Sequence, residues 1–91
     1  MNRDVKKLLS KREGLIHSEN QKVSSHVQRE QGEWILNTVM LEGYDVPFRY
    51  KRKQRYKSLI GARVNLTYYP RSESVAGMTV ETMKVVRIKR A

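Results

Sequence analysis

The sequence predicts an α+β domain, with one or two N-terminal helices packed on a small antiparallel sheet or partly open barrel of four to five strands. Three observations point to it. The first 31 residues hold no proline and only Gly14, and Val5, Leu8, Leu9, Val23 and Val27 recur at helical spacing. From Glu33 onward, large and β-branched residues gather in runs of strand length. Glycine and proline then separate those runs at turn positions. At 91 residues one domain is expected over 1–91, helical in 1–31 and β-rich in 32–91.

In chain order, Asn2 or Asp4 offers a cap for a first helix and Gly14 a stop, with Leu15 and Ile16 packing at the bend. Asn20 offers the cap of a second short helix through about Gln31. Val23-Ser24-Ser25 suits a helix poorly, so a continuous bent helix, or a strand over 22–29, stands as the alternative. A first strand is expected over 34–41, with Trp34 as a core anchor against the helices in preference to a partly exposed interface residue. After a turn at Gly43-Tyr44-Asp45, residues 46–52 alternate cleanly. Val46, Phe48 and Tyr50 share the core face, and Pro47 sits at a strand start or edge. A third strand is expected over 62–69, from Gly61 to Pro70, followed by a polar loop at 71–74. The last run, 78–90, changes phase between its halves, as a bulge near Met83-Lys84 would make it do. The stretch Ser58-Leu59-Ile60-Gly61-Ala62-Arg63-Val64 loosely resembles the turn into a strand of SH3-like small barrels, over those seven residues.

Charge carries most of the functional signal. Nineteen Lys and Arg stand against nine Asp and Glu, for a net charge of +10. That balance favours encounter with polyanions, namely nucleic acid, acidic proteins or anionic surfaces. Between positions 49 and 63 lie Arg49, Lys51, Arg52, Lys53, Arg55, Lys57 and Arg63, with no acid among them. A strand continuing past Tyr50 would set Arg49, Lys51, Lys53, Arg55 and Lys57 in one row, roughly 6.7 Å apart. Tyr56 lies within the row as a candidate stacking ring, since single strands are held by cations on the backbone and aromatic rings on the bases. The same row would also serve as a charged edge that blocks sheet-to-sheet pairing. Arg87 and Lys89 alternate with Val86 and Ile88 near the C-terminus and would extend the positive face.

Other chemistries find little footing. With no cysteine, disulfides, thiolate catalysis and Cys-containing zinc sites are excluded. On a continuous helix His17 and His26 would face opposite ways, and His26 with Glu30 would be an ordinary i,i+4 pair, so no metal and no cofactor are expected. Neither a nucleophile elbow nor a phosphate-cradling loop occurs. Arg, Lys and Tyr alone can support metal-independent RNA hydrolysis, but the expected helix-first order is not the strand-first order of the small ribonuclease toxins. No run reaches the roughly twenty apolar residues of a membrane span, and the N-terminus lacks the apolar stretch of a secretory signal, so a cytoplasmic protein is expected. Lys6, Lys7, Lys11 and Arg12 flank too short an apolar stripe for a lipid surface. The expectation is therefore a non-enzymatic nucleic-acid-binding module, for RNA or single-stranded DNA rather than sequence-specific duplex. Its nucleic-acid residues would be Arg49, Lys51, Lys53, Arg55, Tyr56, Lys57, Arg63, Arg87 and Lys89. The alternative is a protein–protein module with an acidic partner, or a small homodimeric subunit.

Overall fold

The computed structural model describes residues 15–91, and it is all strand. Five strands follow one another: β1 (Ile16–Gln31), β2 (Trp34–Leu41), β3 (Phe48–Arg52), β4 (Arg63–Val75) and β5 (Met78–Arg90). They form one mixed sheet that closes into a barrel in the order β1-β2-β3-β5-β4. The expected α+β class is corrected accordingly: among the described residues there is no helix. The first expected helix, with its cap at Asn2 or Asp4 and its stop at Gly14, lies outside them.

β1 replaces the second expected helix, and its pairing explains the difference. Its N-terminal half pairs antiparallel with β4, from Ile16↔Tyr68 to Lys22↔Arg63. Its C-terminal half pairs antiparallel with β2, from Val23↔Leu41 to Gln31↔Trp34. One long strand thus serves two neighbours and closes the barrel. Both ladders are interrupted, between Ser18 and Gln21 and between Val23 and Ser25. Asn20 takes φ +58 at the first irregularity, and its backbone N–H donates to Asn65 Oδ1 at 2.9 Å. At the second, the extra residue Ser24 inverts the side-chain alternation. Val23 is therefore buried while Val27, four residues on, faces out. Two bulges in sixteen residues erase the period of two, and the residual four-residue spacing of Val23 and Val27 imitates a helix.

Two tight hairpins join the antiparallel strands. Gly32-Glu33 connects Gln31 to Trp34, with Gly32 at φ +62, the left-handed first position that a type II′ turn needs. Ala76-Gly77 connects Val75 to Met78, with φ +51 and +80 at the two positions, the pattern of a type I′ turn. β4 continues through Pro70 and the expected polar loop to Val75, paired throughout with β5. Pro70 lies past Tyr68, where β4 has its last β1 partner among the described residues, so its missing N–H costs little. The bulge expected near Met83-Lys84 falls at Val86, where the register shifts against Thr67 and Tyr68. β3 and β5 meet in parallel over only Phe48↔Met83 and Arg49↔Lys84. The sheet is consequently mixed, where an antiparallel one was expected.

The core follows from alternation in β2, β3 and β4. Val39, Leu41, Phe48, Tyr50, Val64, Leu66 and Tyr68 point inward, with Val23 and Val85 from the flanking strands. Phe48, fully buried, meets Tyr44 and Tyr68 edge-on at ring-centroid distances of 5.3 and 4.8 Å, the favoured geometry for aromatic quadrupoles. Burial raises the Tyr68 hydroxyl above its ordinary value; the bond to Ser18 Oγ at 3.0 Å offsets part of that, and Tyr44 adds to the rise.

Candidate nucleic-acid interface

The outer face of β1, β2 and β3 is set by the complement of the core alternation. Leu36 and Thr38 point out between the inward Ile35, Asn37 and Val39. Thr38 is flanked by Val27 of β1 and Arg49 of β3, and Leu36 by Arg29 and Lys51. Together these six side chains form the floor and walls of a groove of about 490 Å³. Arg71 and Lys84 extend it toward the β4–β5 hairpin, so five cations meet one carboxylate there, Glu73. Arg49 Nη1 donates to Glu73 Oε2 at 2.9 Å, which partly neutralises one of the five. At the end of the groove beside the Gly32-Glu33 turn, Lys53 Nζ sits 4.4 Å from the centroid of the Trp34 ring.

Trp34 is 40% exposed, and the expectation that it anchors the core is corrected. It occupies an outward position, and the helices it was expected to meet are absent from the described residues. Its exposed ring lies beside the groove, so the partly exposed placement, ranked second because of its apolar neighbours, is the one that holds. Its odd-even register relative to Ile35 and Val39 was the available signal. Arg29 and Arg71 were missed, and Lys84 was seen only as part of a C-terminal basic group, because the three come from three strands and only the barrel closure gathers them.

The single cationic row divides. β3 ends at Arg52, so only Arg49 and Lys51 remain in the strand row, with Lys53 just beyond it on Trp34. The chain then turns away, carrying Arg55, Tyr56 and Lys57 into the 53–62 connection. Gln28 fixes that connection: its Nε2 donates to Tyr56 O at 2.6 Å, and Tyr56 N donates to its Oε1 at 3.1 Å. Arg55 Nη1 donates to Gln28 O at 3.3 Å. Arg63 starts β4 and donates to Asn20 O at 3.2 Å, and it is not part of the groove lining. Arg87 lines the gap that opens where β3 and β5 separate, and Lys89 faces the 53–62 connection. The nine expected residues therefore fall in several places, with Arg49 and Lys51 in the groove and Lys53 at its end.

His26 has a structural assignment. The backbone N–H of Leu59 donates to its Nδ1 at 2.9 Å, which leaves Nε2 to donate to Asn37 Oδ1 at 2.8 Å. Its expected pairing with Glu30 does not form, because positions four apart on a strand are not neighbours. Tyr50 is buried, and burial raises its hydroxyl above the ordinary value of 10.0 although Arg52 beside it lowers it in part. Among the described residues no helix is long and apolar enough to cross a membrane. Comparison with protein-family models, with curated proteins and with solved structures gives no match.

Proposed function

We propose that the protein is a non-enzymatic nucleic-acid-binding module that holds RNA or single-stranded DNA along the outer face of β1–β2–β3. The observation that carries this reading is the groove itself: an outward floor of Val27, Leu36 and Thr38, walled by Arg29, Arg49, Lys51, Arg71 and Lys84. Cations at those positions suit a phosphate backbone, and the exposed ring of Trp34 suits a stacked base. A five-stranded closed barrel in this strand order also resembles the OB-fold architecture, whose strand 2–3 face and adjoining loops serve oligonucleotides and oligosaccharides in other proteins. That likeness is one of architecture, and the side chains of the groove support the reading without it.

A titration of labelled single-stranded RNA, single-stranded DNA and duplex DNA by fluorescence anisotropy, at about 50 and about 200 mM salt, tests the proposal. Tighter binding of a single strand than of duplex, with measurable affinity at the higher salt, is expected. Equal weak binding of all three that vanishes at the higher salt would overturn it. A protein–protein reading has its own observation: Val75, Met78 and Val80 are exposed on the β4–β5 hairpin, Met78 to 69%. A stable dimer whose hairpin is protected from solvent exchange would favour that reading.

A further inference from the structure

The 53–62 connection covers a second concavity, separate from the groove. Its anchors are the Gln28 clamp on Tyr56, the Leu59–His26 bond, and a bond from Arg90 Nη2 to Ser58 O at 3.4 Å. Beneath it lies a cleft of about 380 Å³ whose floor is Tyr50, Asn37, Leu59 and Ile88, and whose rim carries Arg52, Tyr56, Lys57, Lys89 and Arg90. No carboxylate lines it, and among the described residues none of its four cations lies within salt-bridge distance of one.

Arg52 is the organising residue. Its guanidinium carbon is 5.3 Å from the centroid of the Tyr50 ring and 5.2 Å from that of Tyr56. Two rings against one guanidinium limit the rotamer freedom that an exposed arginine would lose on binding, and a planar fork so held matches a phosphate group. Tyr56 is held by its backbone yet 54% exposed, which leaves ring surface for an aromatic ligand. The cleft is at the small end of the roughly 300–1,000 Å³ range of small-molecule sites, room for one base and its phosphate and not for a tract of strand.

We propose that this cleft is a site for a single nucleotide, with the phosphate held by Arg52, Lys57, Lys89 and Arg90 and the base set against Tyr56 and the apolar floor. The source is either a free nucleotide or the phosphorylated end of a strand, since both present the same group. The site does not depend on the groove, and either can fail alone.

Calorimetric titration of the full chain with adenosine 5′-monophosphate, adenosine and inorganic phosphate tests the site. Saturable binding of the monophosphate is expected, with adenosine and phosphate each at least about tenfold weaker, because each engages only one half of the cleft. Tyr56→Ala and Arg52→Gln should each weaken the monophosphate roughly tenfold. Arg49→Gln with Lys51→Gln should leave it unchanged while weakening strand binding. Tyr56 is exposed, so its truncation keeps the assay interpretable if Arg52→Gln disturbs the fold. Comparing 5′-phosphate with 5′-hydroxyl forms of one short RNA separates the sources: a phosphate-dependent gain lost in Tyr56→Ala points to a strand end, and no gain to a free nucleotide. Monophosphate binding no tighter than inorganic phosphate, or unmoved by Tyr56→Ala, would overturn the proposal.

Discussion

Single side chains decide the strength of the groove. Glu73 is its one carboxylate and already engages Arg49, so it competes with any phosphate for that guanidinium. Glu73→Gln should raise single-strand affinity at low salt several-fold and steepen the salt dependence by about 0.7, one further phosphate neutralised. Anisotropy titrations over a salt series read both quantities, and weaker binding would mean instead that Glu73 holds Arg49 in place. Tyr50 yields a pH prediction. Its folded value lies above 10.0, so the folded chain retains a proton that the unfolded chain releases. The stability this contributes is fully present below 10.0 and is lost as pH rises from there through the folded value. Thermal unfolding of Tyr50→Phe should therefore decline less steeply with alkaline pH than that of the parent chain. Position 50 was readable from alternation with Val46 and Phe48, whereas Trp34 was misplaced because hydrophobicity was weighed above register.

At the scale of elements, the sequence announced those strands that keep a strict period of two. β2 matches the expected 34–41, and β3 is the expected run shortened at its start. β1 contains the strand offered as the alternative over 22–29, but its two bulges hid its full extent, and β4 was cut short at Pro70 because proline reads as an end when the neighbouring edge is unknown. The division near Gly32, taken as a border between helix and sheet, is a hairpin turn. The β4–β5 turn offers a direct check on this geometry. Ala76 stands at φ +51, a left-handed conformation that costs an alanine roughly 1–2 kcal/mol. Asparagine accepts it, and Asn-Gly is the favoured pair for this turn type. Ala76→Asn should stabilise the chain by about 0.5–1 kcal/mol, read as a shift in the midpoint of urea unfolding with an unchanged slope. A loss of stability would contradict the assigned turn.

For the molecule as a whole, closure of the barrel turns a charged sequence into a directed one. Net charge alone was visible in the sequence, as was the acid-free run from 49 to 63. Its division between a groove and a cleft was not, because it depends on where β3 stops and on which strands become neighbours. Closure also rests on a short β3–β5 seam, where Phe48 packs beneath a two-pair parallel ladder. Phe48→Ala should cost about 3–5 kcal/mol, a large share of what a domain this small possesses, and chemical denaturation would report it. If the positive charge acts through the β1–β2–β3 face, removing cations there must change the salt dependence of binding more than removing one elsewhere. The comparison to make is single-stranded RNA binding over a salt series for Arg49→Gln/Lys51→Gln/Lys84→Gln and for Lys22→Gln, a cation outside the groove lining. The expected salt slope is shallower by about 1.4 in the triple variant, as the phosphates met by Lys51 and Lys84 go unneutralised while Arg49 is already engaged by Glu73, with little change in Lys22→Gln. Equal slopes in the triple variant and the parent chain would place the binding surface elsewhere on the barrel.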